Sequence, residues 1–255
     1  MIPPMSTTFD PSKFTAPTAK PLPVILLLDC SGSMSGEKIR NLNEAVRDML
    51  EEFRDTENGE TEIHVAIITF GAEVKLHKEL ASAGGIVWQD LSAVGGTPLG
   101  TALQMAKAMI EDQAVIPSRA YRPTVVLVSD GRPTDSWEEP LHAFISGGRS
   151  AKCDRMAMAI GADADEGVLG RFVDGTANPL FYAENAKQLR EFFKLVTMSV
   201  TIRTKSQTPN VVPDAATMDV KPTTIEARSD KPKSVTKRSA GGAAEDEQLN
   251  EEGYW

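Results

Sequence analysis

Val24-Ile25-Leu26-Leu27-Leu28-Asp29-Cys30-Ser31-Gly32-Ser33 is the stretch that decides the fold of this chain. Five consecutive apolar residues suffice for a buried strand and are too few to span a bilayer. A run without polar interruption reads as a central parallel strand, covered on both faces. It stops at a carboxylate followed by two hydroxyls in the spacing Asp-x-Ser-x-Ser. Ligands of open α/β sheets gather just past the carboxyl ends of the strands, where this spacing falls. Asp29, Ser31 and Ser33 are hard oxygen donors, and only Asp29 is charged. Such a set suits Mg²⁺ or Mn²⁺ better than zinc.

Outward from that stretch, strand and helix patterns alternate. Ile39, Leu42, Val46, Met49, Leu50 and Phe53 recur at gaps of three and four, one face of a helix opened at Ser35 or Gly36. Residues 62–70 form the next buried-strand pattern. Residues 73–80 alternate as an antiparallel partner at the sheet edge would. A loop-rich connection leads to Thr97, and Pro98 is placed to start a second helix carrying Leu99, Leu103, Ala106, Met109 and Ile110. Residues 124–129 are a strand, 136–145 a helix stopped by Gly147-Gly148, and 155–160 a strand followed by the acidic loop 163–166. A short strand at 180–183 and a helix capped by Asn185, with Leu189, Phe192, Phe193 and Val196 inward, complete the pattern. This order predicts an α/β fold: a doubly wound, mainly parallel sheet with helices on both faces and one antiparallel edge strand.

Two further stretches carry oxygen donors to the same kind of position. Gly95-Gly96-Thr97-Pro98 offers a hydroxyl on a glycine-bearing loop. Val125-Val126-Leu127-Val128-Ser129-Asp130-Gly131 is a second buried strand that ends in an aspartate. Asp29, Ser31, Ser33, Thr97 and Asp130, in this order, resemble the complete metal-ion-dependent adhesion site of the von Willebrand factor A (VWA) domain family, over roughly residues 21 to 200. The resemblance implies a Rossmann-like fold with a metal site on top. It further implies that Ser31, Ser33 and Thr97 bind the ion directly, while Asp29 and Asp130 hold its waters and orient the serines. An ion with few direct charges stays electrophilic, and its open position favours a carboxylate from a partner protein.

Within the superfamily, the strings at 26–37, 68–70, 95–100 and 129–135 look most like bacterial TerY-type, tellurium-resistance-associated proteins. That likeness implies a cytoplasmic bacterial scaffold or adaptor in stress-response, defence or signalling systems, with a protein kinase and a PP2C-type phosphatase as partners. Thr134 and Asp135, which follow Asp130 in Pro133-Thr134-Asp135, are expected as solvated loop residues.

Composition narrows the remaining classes. The chain has 255 residues, 41% hydrophobic and 25% charged, the profile of an ordinary globular protein. A formal charge of −9 gives no electrostatic footprint for nucleic acid. The N-terminus lacks a charged region followed by an apolar one, so no targeting segment or membrane anchor is expected. Two cysteines, Cys30 and Cys153, are too few for a disulfide framework and read as small buried thiols in a reducing compartment.

An enzymatic alternative uses the same aspartate. Haloacid-dehalogenase-like phosphatases also end a strand in Asp-x-(Asp/Ser)-x-Ser, with the first aspartate, here Asp29, as nucleophile. Ser31 stands where an acid would protonate the leaving group, and no late lysine with paired aspartates completes that site. A nucleophile elbow fails because Met34 occupies the serine position between Gly32 and Gly36; His64, His77 and His142 show no zinc spacing. A binding module, not an enzyme, is the expectation.

The ends differ from the middle. Residues 1–20 read as a proline-bearing arm. Residues 201–255 read as a flexible tail, poor in aromatics until it closes on Tyr254 and Trp255. Arg228, Lys231, Lys233, Lys237 and Arg238 form a basic cluster ahead of an acidic run over 245–252. The aromatic pair behind acidic residues predicts a second, metal-independent docking motif over 245–255.

Overall fold

A computed structural model describes residues 19–56, 61–214, 218 and 222–224. Most of the arm expected over 1–20 lies outside the described residues, as do the basic cluster and the docking motif with Tyr254 and Trp255.

Six strands form one sheet among the described residues: β1 (Lys20–Asp29), β2 (Thr61–Phe70), β3 (Val74–Ser82), β4 (Thr124–Ser129), β5 (Asp154–Ile160) and β6 (Leu180–Ala183). Their order is β3-β2-β1-β4-β5-β6, parallel throughout except for the antiparallel edge pair β2–β3. The expected doubly wound α/β sheet is therefore present. The apolar run of β1 is central, and Val24 to Leu28 have no exposed surface. Its alternate residues sort by face. Leu22, Val24, Leu26 and Leu28 pack under α1 (Glu37–Thr56) and α5 (Ala186–Thr204). Ile25 and Leu27 pack under α2 (Leu99–Glu111), α3 (Glu138–Ser146) and α4 (Glu166–Val173). Full burial of such a side chain contributes about 1.5–3 kcal/mol, so a run with no polar residue holds its register only where both faces are covered.

This topology sets the site. β1 lies between β2 and β4, and the strand order reverses there. The segments leaving β1 and β4 diverge to opposite faces and leave a crevice beyond the strand ends. Asp29 and Asp130 stand at or just past the ends of these two strands.

Two expectations need correction. The acidic loop 163–166 opens a helix, α4, that the pattern did not predict. It spans only eight residues and includes Gly167 and Gly170, so it shows little period. Its start is fixed by Asp165, whose Oδ1 accepts the Val168 N–H at 3.1 Å. The expected domain boundary at 200 falls inside α5, which continues to Thr204. Beyond it the described chain stays on the domain. Arg203 is fully buried and donates from Nε to Pro209 O at 2.7 Å, from Nη1 to Thr124 Oγ1 at 2.7 Å, and from Nη2 to Arg122 O. Met218 is only 5% exposed, and Thr223 O accepts the Tyr182 N–H at 2.8 Å on the outer edge of β6. A polar anchor of this kind leaves no apolar period to read in the sequence.

Candidate metal centre

The first loop turns directly after β1. Residues 32–34 form one short 3₁₀ turn, pinned by the fully buried Met34. It is stitched to the segment before Thr97 by backbone: Val94 N–H donates to Cys30 O at 2.7 Å and Gly32 N–H to Gly95 O at 2.9 Å. Glycine is needed where these segments cross. A Cβ on Gly71 would lie 2.7 Å from Cys30 O and 2.8 Å from Val94 O. Gly95 has φ +83°, and a Cβ there would meet Ala72 Cα at 2.4 Å.

The third loop joins the second through Thr134 and Asp135. Thr97 N–H donates to Thr134 Oγ1 at 2.9 Å, and Thr134 N–H returns a bond to Thr97 O at 2.9 Å. Asp135 accepts Gly100 N–H on Oδ1 at 2.9 Å, and Thr101 N–H and Oγ1–H on Oδ2 at 2.9 and 3.0 Å. Both residues lie in a loop as expected, Thr134 exposed and Asp135 half-buried, but solvation is not their whole role. They tie the start of α2 to the Asp130 loop, a role set by backbone donors that a sequence does not display.

All five residues singled out in the sequence come together. Asp29 and Asp130 have no exposed surface, and Ser31 and Thr97 are nearly as buried. Asp29 Oδ1 accepts the Ser31 N–H at 2.8 Å, and its Oδ2 accepts the Ser129 hydroxyl at 2.5 Å. Asp130 Oδ1 accepts the Ser33 hydroxyl at 2.7 Å, and its Oδ2 is paired with the Lys38 ammonium. Ser31 Oγ and Ser33 Oγ are 2.9 Å apart. Ser31, Ser33, Thr97 and Asp130 line one cleft of about 690 Å³, together with Asp163, Asp165 and Glu166. A Cβ placed on Gly131 would lie 3.3 Å from Thr97 Oγ1 and 3.5 Å from Ser33 Oγ, so both hydroxyls converge on the space before that glycine. Ser129 and Lys38 were missed by sequence reasoning. Ser129 directly follows the apolar run Val125 to Val128 and reads as no more than the strand's end, and Lys38 looks like any solvated lysine in a first helical turn.

These residues fit a hard divalent cation. Ligands at about 2.1 Å and at right angles are about 3.0 Å apart, close to the Ser31–Ser33 separation. The neutral hydroxyls face the cleft, and the carboxylates stand behind with their oxygens already engaged. No group of three or more His, Cys, Asp and Glu side chains suited to a metal occurs among the described residues, so a zinc-type centre has no ligands there. Burial raises the pKa of Asp29, opposed by its hydrogen bonds from Ser129 and Ser31. A phosphatase nucleophile must reach phosphorus, whereas both Asp29 oxygens are buried and hydrogen-bonded. Burial likewise pushes the Cys30 thiol up to about 12, and its Sγ lies 3.7 Å from Leu28 O.

The von Willebrand factor type A domain family matches residues 24–195. The chain belongs to this family. VWA domains are protein–protein interaction and adhesion modules, and they commonly bind a divalent metal. The inter-alpha-trypsin inhibitor heavy chain H4 of Sus scrofa is 26% identical over 244 residues, covering 76% of this chain and 26% of that protein. The chain thus spans about a quarter of the length of such relatives. Among solved structures, a von Willebrand factor type A protein from Catenulispora acidiphila has a TM-score of 0.55 at 21% identity, covering 71% of this chain and 43% of that one. The pilus adhesin SpaC from Lactobacillus rhamnosus GG, in its open conformation, has a TM-score of 0.54 at 16% identity, covering 72% and 30%. These likenesses establish the fold.

Proposed function

We propose that this VWA domain captures a partner protein through a divalent cation, Mg²⁺ or Mn²⁺, held by Ser31, Ser33 and Thr97 and oriented by Asp29 and Asp130. The partner supplies a carboxylate to the ion's open position. The observation that carries this reading is the convergence of three neutral hydroxyls on one cleft, before two buried carboxylates whose oxygens already accept hydrogen bonds. Neutral ligands leave the ion's charge largely uncompensated, which favours an anionic sixth ligand over water.

Titration calorimetry of the full chain with Mn²⁺ and Mg²⁺ tests the metal. One ion per chain in the wild type, and none in S31A/S33A at unchanged fold, is the expected result. Absence of binding to the folded wild type would overturn it. Partner capture that persists undiminished in EDTA would remove the carboxylate role.

The TerY-like strings support a narrower setting: a cytoplasmic bacterial adaptor in stress-response or defence signalling, with a protein kinase and a PP2C-type phosphatase as candidate partners. Reconstitution with such a kinase, with and without Mg²⁺, is the direct test. Residues 245–255, ending in Tyr254 and Trp255, serve on this proposal as a second docking motif. Their deletion should weaken capture even in EDTA while leaving metal binding intact.

A further inference from the structure

Four carboxylate oxygens stand behind the candidate metal position, and each already has a donor. Three of the donors are neutral: the Ser31 N–H, the Ser129 hydroxyl and the Ser33 hydroxyl. The fourth is a full positive charge, the Lys38 ammonium on Asp130 Oδ2. Lys38 is the second residue of α1, just past the 3₁₀ turn that carries Ser33. Its approach is from the rear. It lines a separate cleft between α1 and the start of α5, together with Glu37, Ile160 and Glu184. A Cβ on Gly161 would lie 3.7 Å from both Cε and Nζ, so the β5–α4 connection flanks the amine. The Lys38 side chain remains 33% exposed, while that of Asp130 is fully buried.

The amine and an ion can therefore be resident together, one on each side of Asp130. With Asp29, Asp130 and Lys38 all charged, the three residues behind the neutral ligands sum to −1, and a divalent ion brings this inner set to +1; Arg132, Asp163, Asp165 and Glu166 lie in the cleft lining outside it. Without the lysine the same set would carry −2, and the ion would be fully neutralised. Coulombic effects between groups this close to a buried centre exceed thermal energy several-fold at an effective dielectric of about 20. We propose that Lys38 is a positioning and charge-setting residue: it weakens resting affinity for the ion and leaves the bound centre with one uncompensated positive charge. A single partner carboxylate completes that balance, so Lys38 trades metal affinity for carboxylate affinity. The inference rests on the metal-dependent function proposed above and specifies the charge of the ligand it takes.

The test uses the full chain, Mn²⁺ as the ion and acetate as the carboxylate probe, with wild type, K38M and K38R compared by calorimetry. K38M should bind Mn²⁺ about tenfold more tightly than wild type in acetate-free buffer. Saturating acetate should tighten Mn²⁺ binding in wild type and K38R and have little effect in K38M. K38Q, which keeps a hydrogen-bond donor near Asp130 but not the charge, replaces K38M if the latter fails to fold. Equal or weaker Mn²⁺ binding in the neutral variants, or an undiminished acetate effect, would overturn the role of Lys38 and leave the metal centre standing. Wild-type protein that binds no divalent ion would overturn both.

Discussion

Asp135→Ala isolates the tie between the second and third loops. Formally α2 begins after Pro98, which supplies no side-chain cap. Asp135 serves as the cap from another loop, accepting Gly100 N–H, Thr101 N–H and the Thr101 hydroxyl. Loss of a capping side chain costs about 1–2 kcal/mol. Removal of a negative charge from a helix N-terminus adds about 0.3–1 kcal/mol. The sum, about 1.5–3 kcal/mol, should appear as a lower urea midpoint with an unchanged slope. Each kcal/mol shifts the melting midpoint of a domain of this size by about 2–4 °C, so a fall of about 3–12 °C is expected. D135N should fall between, because its amide keeps one acceptor and turns an NH₂ toward the other donor. Thr97 lies directly before this helix start and is bonded to Thr134, so Mn²⁺ affinity should drop with stability. A D135A protein within about 0.5 kcal/mol of wild type would refute the capping role, since that is the ordinary range of surface substitutions.

Three further outcomes follow from the same geometry. S33A removes an exposed hydroxyl that bonds Asp130, so Mn²⁺ affinity should fall at least about tenfold with stability within about 1 kcal/mol, checked by calorimetry and urea titration. Burial pushes both thiols up to about 12, above the ordinary cysteine value, so the thiolate is withheld at every pH below that range. A disulfide reagent at pH 8 should therefore label neither Cys30 nor Cys153 until denaturant is added, and fast labelling in native buffer would contradict their burial. R203M leaves Thr124 Oγ1, Pro209 O and Arg122 O without their donor and Asp154 without its neighbouring cation. A loss of about 3–5 kcal/mol is expected by urea unfolding, and a loss under about 1 kcal/mol would show that the network is dispensable.

The parts legible in the sequence were those written in side-chain polarity. The apolar runs of β1 and β4 announced central strands, and the carboxylates at their ends announced the crevice. Asp29, Ser31, Ser33 and Asp130 stood out directly after apolar runs, and Thr97 joined them because the five in order resemble the VWA metal-ion-dependent adhesion site. What stayed hidden was written in backbone groups and in single long-range contacts. Asn43 sits on the apolar face of α1, where a polar residue looks like noise. Its amide donates to Leu91 O at 3.0 Å and accepts Leu91 N–H at 2.8 Å, holding the long connection toward Thr97 against the helix. Neither Leu91 nor Asn43 carries a sign of its partner. Thr134 and Asp135 looked like solvated loop residues for the same reason, because their donors are the N–H groups of Thr97, Gly100 and Thr101. Arg203 looked like the start of a solvated tail because burial of an arginine depends on carbonyls supplied elsewhere.

β4 connects these two classes of feature. It starts at Thr124, held by Arg203, and ends at Ser129, which holds Asp29. Its six residues span about 20 Å at about 3.3 Å each, so the polar network and the candidate metal cleft occupy opposite ends of one strand. The chain after α5 then returns along the outer edge of β6. Tyr182, bonded to Thr223, stands in register with Ala159, which is in register with Ser129. Thr223 is therefore level with the cleft end of the sheet, three strand spacings, or about 14 Å, beyond β4. The bridge from Phe181 to Thr224 is antiparallel, so at its last described residue the chain runs back toward the Arg203 end. The described residues 222–224 do not line the cleft. The two backbone contacts with β6 cover an edge that would otherwise invite another strand. On the proposed function, a carboxylate entering the cleft would compete with neither of these two contacts.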